Sequence, residues 1–277
     1  MNLVKKLVLV GFVFGGVVSC ATVPAGENKA ENGAEEVNRS ALSSVSLSTS
    51  SSSSMVKLVE AFDHEHFYRG YMRERRFVIR VKNIAYQKQV FVHHKLTNGT
   101  WTNLQAEYRG PAGNGWETWE LGFNSVYNPL MGMIADEFVI GYTVSGQTYW
   151  DNNGGQNYRL AKNAGPLLGK EMMVAAVYLY TAGNGAVDVK NVGYAKEVTI
   201  VYTTNNWKHT LTASASYAGP RVYYGYSSFD NPNMYGVERW YFFIPSFYGQ
   251  TVQYAVKYTV NGQTYWDNNE GANYTVR

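Results

Sequence analysis

The sequence predicts an all-β protein: two tandem immunoglobulin-like antiparallel β-sandwiches that follow a signal peptide and a disordered, serine-rich tether. Three observations predict it. The first is an internal repeat. Gly146-Gln147-Thr148-Tyr149-Trp150-Asp151-Asn152-Asn153 returns unchanged from Gly262 to Asn269, and Asn157-Tyr158 returns as Asn273-Tyr274. Upstream, Val81-Lys82-Asn83-Ile84-Ala85-Tyr86 is echoed by Val189-Lys190-Asn191-Val192-Gly193-Tyr194. The second is alternation of apolar and polar residues with a period of two, the mark of half-buried strands. The third is composition: 23 Tyr and 27 Gly, with only 16% charged residues, which suits strands that display aromatic rings. A length of 277 residues allows about two domains, each with its own core. A motif duplicated with its fold suits a recognition surface better than an active site.

In chain order, residues 1–19 are expected to be a lipoprotein signal peptide. Lys5-Lys6 precede an apolar run from Leu7 to Val18, too short for a spanning helix of about 20 apolar residues. The run closes on Val17-Val18-Ser19-Cys20, which resembles the lipobox of bacterial lipoproteins, with Cys20 the acylated residue. An ordinary signal peptide with an incidental cysteine is the competing reading; a lone thiol in an exported chain argues for lipidation. Ala21 after the cysteine resembles outer-membrane sorting. The expected location is therefore the bacterial cell envelope, lipid-anchored at the outer membrane.

Residues 20–54 lack apolar periodicity and run into Ser50–Ser54. Such sequence buries too little apolar surface to offset chain entropy. About 34 residues of flexible tether give a reach of roughly 30–35 Å.

The first sandwich is placed at 55–162. Phe77, Ile79 and Val81 share a strand face, as do Val90, Val92, His94 and Leu96, and Phe138, Ile140, Tyr142 and Val144. The second is placed at 171–277, joined through Asn163-Ala164-Gly165-Pro166; there Val198, Ile200 and Tyr202 alternate, as do Val252, Tyr254, Val256, Tyr258 and Val260. Ser145-Gly146 and Asn261-Gly262 each separate two alternating runs, and Asn-Gly favours a type I′ hairpin because both central residues take positive φ. No stretch beyond Ser54 sustains a 3.6-residue apolar period.

Adjacent strand residues point to opposite faces. If Tyr149 and Tyr265 enter the core, Trp150 and Trp266 stand exposed beside a loop of amides. An indole face next to asparagines suits a neutral sugar: the ring stacks on the C–H face and the amides bond the hydroxyls. The competing reading is that Asp-Asn-Asn-Gly is only a turn capping its own backbone; Asp151 and Asp267 are assigned mainly to such caps.

Val-Lys-Asn-Ile-Ala-Tyr (81–86), Asn-Gly-Thr-Trp (98–101), Glu-Thr-Trp (117–119) and the long run Glu137–Tyr158 together resemble carbohydrate-binding module family 21. That family includes the starch-binding domain of fungal glucoamylases and the glycogen-targeting subunits of a protein phosphatase. The resemblance covers most of both modules. It implies a β-sandwich that binds α-1,4-glucans, with two sugar sites. One would pair Trp101 with Trp150 beside Asn152 and Asn157, and in the second copy Trp207 with Trp266 beside Asn268 and Asn273. A further aromatic of that site falls on Val139 and Ala255 and is missing in both copies. The other site would use Tyr86, Tyr108 and Trp116; the second module has Tyr194 and Tyr217 but Val237 where Trp116 stands. The phosphatase-docking pattern, a basic residue then Val-x-Phe or Val-x-Trp, is absent: the nearest run, Arg221-Val222-Tyr223, ends on Tyr224.

Other chemistries are not expected. Formal charge is +3, and without Lys5 and Lys6 it falls to 22 basic against 21 acidic groups, no basis for nucleic acid binding. Glycoside hydrolysis needs two carboxylates at one bond, whereas Asp151 and Asp267 belong to different modules. His64-Glu65-His66 and His93-His94 lack further ligands for a metal. No catalytic residue, cofactor or metal is expected. Two functions remain. One is glucan capture, for starch, glycogen or maltooligosaccharides, serving an amylolytic enzyme or a transporter. The other is a structural or adhesive envelope lipoprotein that binds protein partners. Exposure of Trp101 and Trp150 on one face separates them.

Overall fold

The computed structural model describes residues 54–67, 71–125, 128–224 and 227–277. The expectations for the signal peptide, for Cys20 and for all but the last residue of the tether lie outside the described residues. Among the described residues there is no α-helix, only three short 3-10 turns, and no helix long and apolar enough to cross a membrane.

The first half forms β1 (Val56–Phe67), β2 (Tyr71–Lys82), β3 (Lys88–Leu96), β4 (Trp101–Gln105) and β5 (Glu107–Pro111). It continues with β6 (Trp116–Asn124), β7 (Ile134–Val144), β8 (Gln147–Asp151), β9 (Tyr158–Arg159) and β10 (Leu167–Leu168). Sheet β10-β1-β2-β6-β5 lies against sheet β4-β3-β7-β8, with β9 also on β7. The alternating residues fill the space between them: Leu58, Phe77, Ile79 and Val81 from one sheet meet Val92, Phe138, Ile140 and Tyr142 from the other, all fully buried.

The second half repeats the plan. Its strands are β11 (Val174–Leu179), β12 (Asn184–Lys190), β13 (Lys196–Thr203), β14 (Leu211–Ser214), β15 (Ser216–Tyr217) and β16 (Arg221–Tyr224). They continue as β17 (Ser227–Asp230), β18 (Val237–Phe243), β19 (Val252–Val260), β20 (Gln263–Asp267) and β21 (Tyr274–Val276). Sheet β11-β12-β18-β15 encloses a core with sheet β14-β13-β19-β20 built on Val187, Val189, Ile200, Val256 and Tyr258. The pairing in both halves is antiparallel throughout. The two hairpin turns are type I′ in backbone sense: φ is 50° and 78° at Ser145-Gly146, and 51° and 76° at Asn261-Gly262.

The halves are packed together. Residues 163–170 do not hang as a free joint; Leu167 and Leu168 add β10 to the edge of β1. Val59 and Leu168 form a small apolar cluster with Met172, Ala175 and Val237, and Phe62 forms another with Val222 and Phe229. The outer face of β1 and β2, which carries Lys57, Glu60 and Arg80, is thereby covered by the second half. Arg239 of β18 pairs with Asp188 at 2.7 Å and reaches Glu60 at 3.7 Å.

Candidate functional site

Trp150 lies on β8 opposite Gly141 of β7. A Cβ at position 141 would come within 2.3 Å of the Phe91 ring, so glycine is what lets Phe91 lie flat across β7. Phe91 meets Trp150 edge-on at 5.6 Å. His93, two residues along the same face, stacks on Trp101 at 4.8 Å and meets Trp150 edge-on at 5.6 Å. Its Nδ1 is 2.5 Å from Asn103 Oδ1, which fixes the ring. The outer face of this sheet therefore holds four contiguous rings. Trp150 is 48% exposed, while its neighbour Tyr149 packs against the core. Offset and edge contacts of this kind stabilise the cluster beyond simple burial.

The loop beside the rings is ordered by its own side chains. Asn152 Oδ1 accepts from Gly155 N at 2.9 Å, and Asn153 donates to the Asn157 carbonyl at 3.0 Å. Asn157 donates its amide to Glu137 at 2.8 Å, and this bond, with Lys95, holds the Glu137 carboxyl below its usual range. The Asn152 nitrogen and the Asn157 oxygen are the amide groups this leaves for a ligand. Asp151 does more than cap a turn. It accepts from Asn153 N at 3.2 Å, from Tyr158 Oη at 2.9 Å and from Leu58 N of the facing sheet at 2.8 Å. It latches the loop to β1, with both carboxylate oxygens engaged there.

The second copy keeps the motif and changes its setting. Trp266 pairs with Lys257 rather than glycine, and Thr199, Val201 and Ala255 stand where the first half has Phe91, His93 and Val139. Trp266 is half-buried. Trp207, expected to face it, sits in the β13–β14 loop at φ 63°, its backbone N–H donating to Thr203 Oγ1 at 3.1 Å. Among the described residues no ring contact joins Trp207 to Trp266. Asn268 caps Gly271 N at 2.9 Å, as Asn152 does in the first copy, and Asn273 is half-buried. Asp267 accepts from Ala176 N at 2.7 Å and from Tyr274 Oη at 2.8 Å.

The other aromatic site requires a correction. Tyr86 and Tyr194 are fully exposed, at 98% and 102%, and Tyr108 and Tyr217 are about half exposed, at 50% and 40%. Trp116 is not with them. It pairs with Lys82 on the outer face of its sheet, under the ammonium groups of Lys57 and Lys82 at 4.6 and 4.4 Å, and is only 8% exposed. Neighbouring Gly113 N bonds the Asn269 carbonyl of the second half at 2.8 Å. Trp116 is thus an interface residue, which leaves no open ring face for a sugar. The ring beside Tyr108 is Trp119, at 5.7 Å, and its counterpart Trp240 stands 6.1 Å from Tyr217. Both indoles donate to a glutamate two residues back, Glu117 and Glu238, at 3.1 Å. Those carboxylates are held by Lys88 and Lys196 at 2.8 and 2.9 Å. Val237 in the second half therefore removes no ring from this site. The signal in sequence was Glu-x-Trp, present as Glu117-Thr118-Trp119 and Glu238-Arg239-Trp240.

Among the described residues no three His, Cys, Asp or Glu side chains converge to hold a metal. His94 is fully buried amid Phe77, Phe123 and Phe138; burial, with Arg75 nearby, pushes it down to about 3, so it is a neutral core residue.

Against known proteins, residues 69–161 and 172–277 both match the carbohydrate/starch-binding module family 21. The chain belongs to that family of carbohydrate-binding modules. It is 39% identical over 88 residues to glucoamylase 1 of Rhizopus oryzae, covering 30% of this chain and 13% of that protein. It is 30% identical over 93 residues to protein phosphatase 1 regulatory subunit 3E of Mus musculus, covering 33% of this chain and 30% of that one. The chain thus spans less than a third of the length of either relative. Among solved structures it is similar to the starch binding domain of Rhizopus oryzae glucoamylase in complex with beta-cyclodextrin and maltoheptaose. That match has 29% identity, covers 41% of this chain and 99% of that one, and has a TM-score of 0.30.

Proposed function

We propose that the chain is a non-catalytic α-1,4-glucan-binding protein in which residues 55–162 and 171–277 are separate binding modules. Cys20 carries its lipid anchor, and the modules stand off the outer membrane of a bacterial envelope on the tether. There they gather starch, glycogen or maltooligosaccharides for an amylolytic enzyme or a transporter. The observation that carries this reading is the exposed Trp150 ring, set beside His93 and Trp101 and next to the asparagine loop. Ring faces and amides suit a neutral sugar, and the motif carboxylates are both occupied in holding the loops to the facing sheets.

The test is retention on insoluble starch with cellulose as control. The chain should be held by starch and pass through cellulose, and Trp150→Ala should weaken retention without unfolding the protein. Equal passage over both matrices would overturn the reading. For the anchor, Cys20→Ser should move the protein from the membrane to the soluble fraction, because the two or three acyl chains of a bacterial lipoprotein are its expected hold on the bilayer, one chain alone binding only marginally.

A further inference from the structure

We propose that Arg80, on the first half, is a positioning residue for the Asp-Asn-Asn loop of the second half, so that docking of the two halves sets part of the shape of the second sugar loop. In the first half the loop is closed by the half's own groups, Leu58 N and Tyr158 Oη on Asp151. In the second half the same aspartate receives an additional guanidinium from across the interface. Arg80 Nη2 donates to Asp267 Oδ1 at 3.2 Å and to Tyr274 Oη at 2.6 Å, and Nη1 donates to Glu270 Oε1 at 2.9 Å. Its side chain is 4% exposed. Around it, Lys57 binds Glu270 at 2.7 Å, Asn114 donates to the Glu270 carbonyl at 2.6 Å, and Gly113 N reaches the Asn269 carbonyl at 2.8 Å.

The residue exchange at the loop tip fits this. Where the first copy has Gly154 at φ 70°, the second has Glu270 at φ 58°, a left-handed conformation that disfavours an ordinary residue. Glycine is what the turn alone would select. A glutamate is held there by Lys57 and Arg80, whose charges outweigh burial and keep its carboxyl below the usual range. The loop of the second copy is therefore specified in part by residues of the first. Asn268, Asn273 and Trp266 flank the atoms that Arg80 grips, so the docked interface sets the geometry of those ligand groups. The proposal rests on the glucan reading for its ligand but not for its geometry.

The experiment uses the full chain, 15N-labelled, titrated with maltoheptaose while the indole N–H resonances of Trp150 and Trp266 are followed separately. Arg80→Ala should weaken the Trp266 titration about fivefold or more, the low end of coupling between sites, and leave the Trp150 titration unchanged. Arg80→Lys should recover part of the loss. Equal weakening at both indoles, or none at Trp266, overturns the proposal. If neither indole responds to the sugar in the unmutated chain, the glucan reading fails, and amide exchange without ligand still decides this one. Gly271 N–H, bonded to Asn268, should then exchange faster in Arg80→Ala while Gly155 N–H, bonded to Asn152, does not. Unchanged exchange at Gly271, or equal acceleration at both glycines, overturns it.

Discussion

In the first half, Trp150 rests on a floor of rings: Phe91 lies across Gly141, and His93 joins Trp150 to Trp101. In the second half, Trp266 faces Lys257 with Thr199 and Val201 beneath, and its loop leans on Arg80 of its neighbour. The hairpin turn has the same backbone sense and the Asp-Asn-Asn letters are identical; the support is not. The conserved part of the repeat is what the backbone needs, since Asp151 and Asp267 each bond the first strand of the facing sheet. The variable part sets how rigidly each indole is presented. The first copy is preorganised by its own aromatic packing, and the second by docking. Preorganisation lowers the ordering cost of binding, so the first copy should be the stronger site.

The largest effect that can break this comparison comes from removing both platforms. Two sites on one polymer gain about 10²–10⁴-fold from effective concentration where both engage. Trp150→Ala/Trp266→Ala should lose that gain on long glucan and the individual contacts as well. Of the single variants, Trp150→Ala should be the more damaging, read by titration with soluble starch. A greater loss from Trp266→Ala would reverse the ranking of the two copies.

Acid should separate the halves next. His94 in the first core corresponds to Tyr202 in the second. His94 is held neutral down to about 3, against an ordinary value of 6.5. Between those values the unfolded chain takes up a proton that the folded chain refuses. The stability contribution is therefore complete above about pH 6.5 and is lost as pH falls toward 3, at up to about 1.4 kcal/mol per pH unit. Denaturant melts across this range should show the first half weakening more steeply, and His94→Phe should flatten its slope. A parallel acid response in the two halves would show that His94 does not control it.

The tyrosine that closes each motif gives a smaller contrast. Tyr158 Oη donates to Asp151 and accepts from Lys170 N at 3.0 Å, whereas Tyr274 Oη donates to Asp267 and accepts from the Arg80 guanidinium. Removing one partner of a buried bond costs about 1–3 kcal/mol, more where the other is charged. Tyr274→Phe should thus lower the denaturation midpoint more than Tyr158→Phe, and the difference should vanish in an Arg80→Met background.

Much of this was legible in the sequence because it is local. Period two marked β2, β3, β7, β13 and β19, and Asn261-Gly262 marked its own turn because only a few residues accept positive φ at both positions. The exposed Trp150 followed from strand geometry and the neighbour Tyr149. Choosing between Trp116 and Trp119 was beyond that reasoning: three residues apart on one strand, they face opposite ways, and both faces of that sheet are covered, one by the core and one by the second half. Arg80 was equally hidden. Between Ile79 and Val81 it has the alternation of a solvated charge, and nothing near it in sequence announces Asp267. The ring floor was half visible, since His93 and Phe91 share a face, but Gly141 as the cause of their packing needed the cross-strand register.

Salt should give the smallest effect and the finest test of what the two copies share. Each platform has one lysine near its indole: Lys95 lies 5.9 Å from the Trp101 ring, and Lys257 is the cross-strand partner of Trp266. Lys95 is already paired with Glu137 at 3.0 Å. If the ligand is a neutral glucan held by ring faces and amides, neither lysine has a charge to meet on it. Screening acts on exposed charges, with a Debye length of about 10 Å at 0.1 M and about 3 Å at 1 M, and leaves stacking untouched. Raising salt across that range should change affinity for maltoheptaose by less than about twofold at both Trp150 and Trp266. A steep loss at Trp266 alone would mean that Lys257 contacts an anionic group, and the second copy would then differ from the first in ligand as well as in support. A steep loss at both would replace the neutral sugar with an acidic one.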